Sequence, residues 1–364
     1  MRRKALFAIL GLGIVCLLTA AGALADQEPN NDFASAEQLP AGTVTGTVDI
    51  DADDADYYQF TVSEGQYITV EFSADTGGDF LYGYLADWEE WTMFELKSKG
   101  DVAGSDTWHT CNETAEATWF FYVQSDTEAG GYEFTVTLAD QDDGGIGRDA
   151  GGAMEFAGPV EAGTTISGLL ADDDEEDWYT FPAGEGDIIT VSLSSDSDED
   201  FIYADLVDWE DWTIYTVQSK GSVAGDDTYY TSYERTVRPW YIRVHMDTDM
   251  GNYELALTVD HQDDAGTGTE APADTASALE LAPGTYSGHL EDEDEVDAYK
   301  FQMGEGDHLS VSFTSDSGAD FLYLELVDWE GWTVWELASK ASSQEDEVYL
   351  TGNETEMAWY YLVV

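Results

Sequence analysis

The sequence predicts an all-β protein: three tandem antiparallel β-sandwich domains, jelly-roll-like, after a signal peptide. Three observations carry that expectation. Apolar–polar alternations of period two, bounded by Gly, Asp and Ser turns, fill the chain, and no segment sustains a helical period. One pattern is written three times at offsets of 120 and 121 residues, too long for a solenoid unit and right for a small domain. The N-terminus has the layout of a secretory leader.

In that leader, Met1-Arg2-Arg3-Lys4 is basic, Ala5 to Leu18 is apolar, and Ala23-Leu24-Ala25 offers a small-residue cleavage site before Asp26. The expected organisation is a signal peptide over 1–25, repeat 1 over 26–140, repeat 2 over 141–260 and repeat 3 over 261–364. No later apolar run is long enough to span a bilayer, so no membrane span is expected after leader removal, and the destination is secreted or cell-surface. Only Cys111 stays in the mature chain, which leaves no intrachain disulfide.

The repeat is anchored by Asp56-Tyr57-Tyr58, Asp177-Trp178-Tyr179 and Asp297-Ala298-Tyr299, and again by Asp87-Trp88-Glu89, Asp208-Trp209-Glu210 and Asp328-Trp329-Glu330. In the first copy the alternation predicts strands near Thr43–Val48, Tyr57–Val62, Tyr67–Phe72, Phe80–Ala86, Thr92–Lys97, Thr107–Thr110, Trp119–Gln124 and Tyr132–Leu138. Polar, Gly-rich joints follow at 140–147 and 260–268. Repeat 3 has no counterpart of Gly131-Tyr132-Glu133-Phe134, so it is expected to lack its last strand. Either the sequence is a piece of a longer chain or another chain acts as strand donor.

Charge narrows the partners. With 77 acidic and 12 basic residues the net charge is −65, a field that repels phosphate backbones and excludes nucleic acid. It suits divalent cations, basic partners or high salt. Each copy has a D-x-D-x-x-D loop ahead of a strand: Asp51, Asp53, Asp56; Asp172, Asp174, Asp177; Asp292, Asp294, Asp297. Carboxylates this close repel one another unless a cation intervenes, and Ca²⁺ takes six to eight hard oxygens, so Ca²⁺ is the expected cofactor. The alternative is a solvated acidic turn. An EF-hand is excluded, because Asp56 stands where that loop needs Gly and Val62, Ala183 or Met303 where it needs Glu. In the Gly-rich linkers, Asp143, Asp149, Asp264 and Glu270 either close a calcium site between adjacent domains or belong to plain flexible joints.

Three further patterns recur. Paired tryptophans, Trp88 and Trp91, Trp209 and Trp212, Trp329 and Trp332, stand at a hairpin tip where Gly, Asn or Pro is usual. They read as a ligand platform or as a cap folded back on the core. Lys99, Lys220 and Lys340 are expected in ion pairs with repeated carboxylates. Asn112 and Asn353 head N-x-T sequons and are candidate glycosylation sites. Catalysis has no foothold: the histidines match nothing in the other copies, and no H-E-x-x-H or G-x-S-x-G occurs.

Glu28-Pro29-Asn30-Asn31-Asp32, then D-x-x-D-Tyr-Tyr-x-Phe-x-Val from Asp53 to Val62, then Glu64-Gly65-Gln66-Tyr67-Ile68-Thr69-Val70, resembles the bacterial and archaeal pre-peptidase C-terminal domain, relatives of the collagen-binding domains of clostridial collagenases. The likeness runs through each repeat. Copies two and three replace the Asn-Asn opening with Gln141-Asp142-Asp143 and Gln262-Asp263-Asp264. The resemblance implies a jelly-roll sandwich on secreted proteins, often peptidases, with calcium between the N-terminal segment and the D-x-x-D loop. Carried over, that adds Glu28, Asn30 and Asn31 beside Asp53 and Asp56. The expected function is a secreted or cell-surface adhesion protein, not an enzyme, whose calcium-ordered modules contact a polymer, a glycan or a protein surface. Two other readings stand beside it: a structural acidic surface protein of a salt-adapted prokaryote with no specific ligand, and the accessory tail of a secreted peptidase.

Overall fold

The computed structural model describes residues 24–25, 28–39, 42–49, 55–63, 65–110, 116–125, 129–197, 201–232, 236–246, 251–318, 320–352 and 356–364. Within them the regular structure is β-strand apart from three short 3-10 turns. Among these residues no helix is long and apolar enough to cross a membrane. The chain separates into two compact units, residues 1–109 with 114–139, and residues 110–113 with 140–364. The first unit holds one sandwich and the second holds two.

In the first sandwich one sheet pairs Glu37–Gln38, Ala55–Val62, Ala117–Gln124, Leu81–Ala86 and Thr92–Ser98 in that order. The other pairs Leu24–Ala25, Thr43–Val48, Gly130–Asp140, Gln66–Asp75 and Gly104–His109. All the longer strands pair antiparallel. Each predicted strand is present within a few residues of its expected bounds, because period-two alternation fixes which face is buried. Along Gln66–Asp75, Ile68, Val70, Phe72 and Ala74 point inward while Glu71 faces solvent. Opposite them Trp119, Phe121 and Val123 fill the centre, with the Phe121 ring 4.7 Å from Phe134. Each such side chain contributes about 1.5–3 kcal/mol by leaving water, and that packing holds the fold together.

The second sandwich repeats the plan. Gly158–Pro159, Glu176–Ala183, Arg238–Met246, Ile202–Val207 and Thr213–Ser219 form one sheet, and Thr165–Leu170, Gly251–His261, Asp187–Ser195 and Gly225–Tyr230 the other. Trp240, Ile242 and Val244 take the central places of Trp119, Phe121 and Val123.

The third sandwich keeps its first sheet, from Leu279–Glu280 through Ala298–Met303, Ala358–Val363 and Leu322–Val327 to Thr333–Ser339. Its second sheet is only His308–Thr314 with Gln344–Leu350. Beyond the last strand that the sequence is expected to lack, a second strand of the sandwich plan is missing among the described residues. The segment matching Thr165–Leu170 forms no strand, since in the second sandwich its ladder runs entirely to Gly251–His261, which has no third copy. Leu309, Val311 and Phe313 are accordingly half-buried where Ile189, Val191 and Leu193 are buried.

Candidate metal centre

The Gly-rich linker of repeat 2 is a folded element. Asp143 opens a 3-10 turn, and Gly144, Gly145 and Gly147 adopt φ of 64°, 70° and 79°, a left-handed backbone that glycine takes at no steric cost. Asp142 Oδ1 accepts the Gly147 N–H at 2.6 Å and the Asp143 N–H reaches the Arg148 carbonyl at 3.2 Å, so the chain doubles back and sets Asp149 beside Asp143. The linker of repeat 3 folds alike around Asp264, with Ala265 in the place of Gly144.

The acidic loop is a tight turn of its own. Ala171 and Asp174 exchange both backbone hydrogen bonds at 2.9 Å, and Asp172 takes φ 57°. Glu291–Asp294 repeats the turn with Asp292 at φ 55°. The first aspartate of D-x-D-x-x-D is therefore a turn residue. Asp172 stays outside the cluster described next, and exposed Asp292 accepts the Tyr230 N–H at 3.0 Å across to the second sandwich. Neither of these two belongs to the buried acidic groups of the site.

The other two aspartates meet the linker. One oxygen from each of Asp143, Asp149, Asp174 and Asp177 lies within 4.8 Å of the others, and all four residues are buried. In repeat 3, Asp264, Glu270 and Asp297 converge in the same way, with Asp294 buried beside them. At such a separation two ionised carboxylates repel by about 3–4 kcal/mol even at an effective dielectric constant of 20. Asp143 Oδ2, Asp177 Oδ1, both Glu270 oxygens, Asp294 Oδ2 and Asp297 Oδ1 have no hydrogen-bond partner among the described residues. Burial, reinforced by neighbouring acids, raises the pKa of Asp143, Asp177, Glu270 and Asp294, and that of Asp297 to about 8. The Arg148 guanidinium is directed at carbonyls, those of Asp149 and Phe156. Linker and loop thus build one site inside the domain they lead into, which corrects the expectation of linker acids bridging adjacent domains. An all-carboxylate donor set fits a hard divalent cation.

A tyrosine pair backs the acidic loop in the first and second sandwiches. Tyr253, from the last strand, donates to Asp177 Oδ2 at 2.5 Å and its hydroxyl meets that of Tyr179 at 2.5 Å. Tyr132 donates likewise to Asp56 Oδ2 at 2.5 Å and bonds Tyr58. Burial holds the Tyr132 and Tyr253 hydroxyls far above their ordinary pKa, so they stay protonated donors. Room for the ring comes from Gly46 and Gly168, where a Cβ would lie 2.2 and 2.3 Å from the tyrosine oxygen. In repeat 3, with no such strand, Tyr299 bonds Asp297 directly at 3.0 Å. Sequence reasoning missed this pair; the signal was a glycine at 46, 168 and 288 facing a tyrosine after Gly131 or Asn252.

In repeat 1, Asn30 and Asp56 are fully buried and the Asn30 carbonyl accepts the Tyr57 N–H at 2.7 Å, while Glu28 and Asn31 are exposed. Exposure removes these two from the buried set. Asp51, Asp53, Asn112 and Asn353 lie outside the described residues.

The tryptophan pairs split between the two expectations. Trp88, Trp209 and Trp329 lie edge-on against the core rings Trp119, Trp240 and Tyr360 at 5.9, 5.6 and 5.4 Å. Trp91, Trp212 and Trp332 are 67%, 68% and 69% exposed. The recurring lysines lie over rings: Lys99, Lys220 and Lys340 are 5.5–5.6 Å from the centres of Phe80, Phe201 and Phe321, a cation–π contact.

No protein-family profile and no curated protein matches the chain. Among solved structures it is similar to the N-terminal CBM22-1–CBM22-2 tandem of Paenibacillus barcinonensis Xyn10C, at 9% identity over 56% of this chain and 82% of that one, TM-score 0.19. It is also similar to the triple jelly-roll protein of an archaeal virus turret, at 11% identity over 90% and 82%, TM-score 0.19. At these scores neither likeness bears on function.

Proposed function

We propose that the chain is a non-catalytic, secreted or cell-surface binding protein whose sandwich modules are ordered by calcium where the chain enters them, and that it belongs with the pre-peptidase C-terminal domains it resembles. The observation that carries the reading is the convergence of buried carboxylates, among which Asp143 Oδ2, Asp177 Oδ1, both Glu270 oxygens and Asp297 Oδ1 meet no donor among the described residues. Left ionised and dry they oppose folding; around a cation they become the tie that fixes linker to loop. Calcium is favoured over magnesium because six to eight oxygens in irregular geometry suit it, whereas magnesium demands near-ideal octahedra and retains water. The leader supports secretion, and the acidity disfavours nucleic acid as partner.

The test is a calcium titration of the chelated full chain, followed by melting temperature. At calcium one hundredfold above Kd, linkage adds about 2.7 kcal/mol per site, and Asp177→Asn removes the gain from repeat 2. The net charge of −65 favours a second reading, a salt-adapted structural surface protein. In that case sodium chloride raises the melting temperature and dilute calcium leaves it unmoved.

A further inference from the structure

We infer that the outer indoles, Trp91, Trp212 and Trp332, are contact points for an uncharged polysaccharide, each stacking on a sugar ring. This deepens the binding role proposed above and is independent of the metal.

The tips are built to hold an indole in water. Asp87 Oδ1 accepts the N–H groups of Glu89 and Trp91 at 2.9 and 2.8 Å, and the Asp87 N–H reaches the Trp91 carbonyl at 3.0 Å. Asp208 makes the same contacts with Glu210 and Trp212, at 2.8, 3.0 and 3.0 Å, and Asp328 with Glu330 and Trp332, at 2.9, 2.9 and 3.0 Å. The residue before the outer indole adopts φ of 66–83° in every copy, as Glu90, Asp211 or Gly331, so two tips keep a left-handed non-glycine residue to preserve this turn. The inner indole meets a core ring edge-on, with Trp88 and Trp329 still 44% and 51% exposed, and the outer one is two-thirds exposed. The outer indole recurs at 67–69% exposure in all three copies and contributes little to the core, a recurrence that points to a role outside the chain.

Charge selects the occupant. With a net charge of −65 a cationic partner can be held by carboxylates without an indole, and an anionic one is repelled. An uncharged glycan finds at each tip a flat apolar face for its axial C–H groups, with Glu89, Glu210 or Glu330 exposed alongside to accept from its hydroxyls. Three equivalent tips match a ligand that repeats along its length and gain by avidity.

The experiment is retention of the full chain on insoluble cellulose, chitin and β-1,3-glucan in ~1 M sodium chloride, where the screening length falls to about 3 Å. At least one polymer is expected to retain the chain. Each single Trp→Ala change lowers the association constant about tenfold, and the triple variant W91A/W212A/W332A lowers it at least about a hundredfold. Val102→Ala with Val223→Ala, exposed apolar residues off the tips, leaves it unchanged. Retention that survives the triple change, vanishes in salt or occurs on none of the polymers overturns the proposal. As a measurement that needs no variant, soluble fragments of the retaining polymer are expected to shield wild-type tryptophan fluorescence from acrylamide; unshielded indoles overturn it too. The calcium shift in melting temperature, read on the same samples, reports the metal reading separately: its absence with retention intact sinks that reading alone.

Discussion

Stripping calcium from the protein and moving it from pH 5 to pH 7 is expected to weaken it, contrary to the behaviour of a protein whose carboxylates are paired. Asp297 shows why. It is buried, and burial together with Asp264 and Asp294 raises its pKa from 3.8 to about 8. Because the folded value lies above the unfolded one, the protonated carboxyl stabilises the fold below about pH 4, and that contribution drains away as pH rises through about 8. Between those limits the folded state holds a proton that the unfolded chain has released, and stability falls by about 1.4 kcal/mol per pH unit for each such carboxyl. From pH 5 to pH 7 one carboxyl accounts for about 2.7 kcal/mol, worth about 5–10 °C in a unit of this size. Calcium binds the ionised form, so saturating it should cancel the slope and raise the melting temperature most at pH 7. Calorimetric scans at pH 5, 6 and 7, in chelator and in calcium, provide the measurement. A chelated protein whose melting temperature is flat or climbs with pH over this range refutes the account of the site.

Three further outcomes are expected. Tyr253→Phe removes the donor to Asp177 and should lower calcium affinity of repeat 2 by about 10–100-fold with the fold intact; unchanged affinity by calorimetric titration contradicts the supporting role. Gly168→Ala forces a Cβ to 2.3 Å from the Tyr253 oxygen and should cost about 1–3 kcal/mol in urea unfolding, whereas Gly318→Ala, with nothing within 4 Å, should stay within about 0.5 kcal/mol. Trp240→Ala empties the core centre and should cost about 3–5 kcal/mol, while Trp212→Ala should change stability by less than about 0.5 kcal/mol; equal losses would place both rings in the core.

The sandwiches were legible in the sequence because a buried sheet face imposes an alternation that one-residue slips destroy, as along Gln66–Asp75. Repetition then separated Asp172, Asp174 and Asp177 from variable neighbours. What stayed illegible depends on backbone direction. The first aspartate of the motif and the second share composition, yet the left-handed turn at Asp172 and Asp292 sends only the second inward. The Gly-rich linkers read either as flexible joints or as holding a calcium site between domains, whereas their positive-φ glycines fold Asp149 back upon Asp143. Tyr253 stands some 76 residues from Asp177, and no local pattern announces a contact across that distance.

The same contact has a mechanical side. Asp177 is gripped by linker carboxylates at the start of its domain and by Tyr253 on the final strand. Tension along a chain of such domains would therefore pass from linker to cluster to final strand and out again. In the second sandwich that path would bypass the strands between, so a cation filling the cluster would make this one knot, not the whole sheet, the element that sets the force at which the domain gives way.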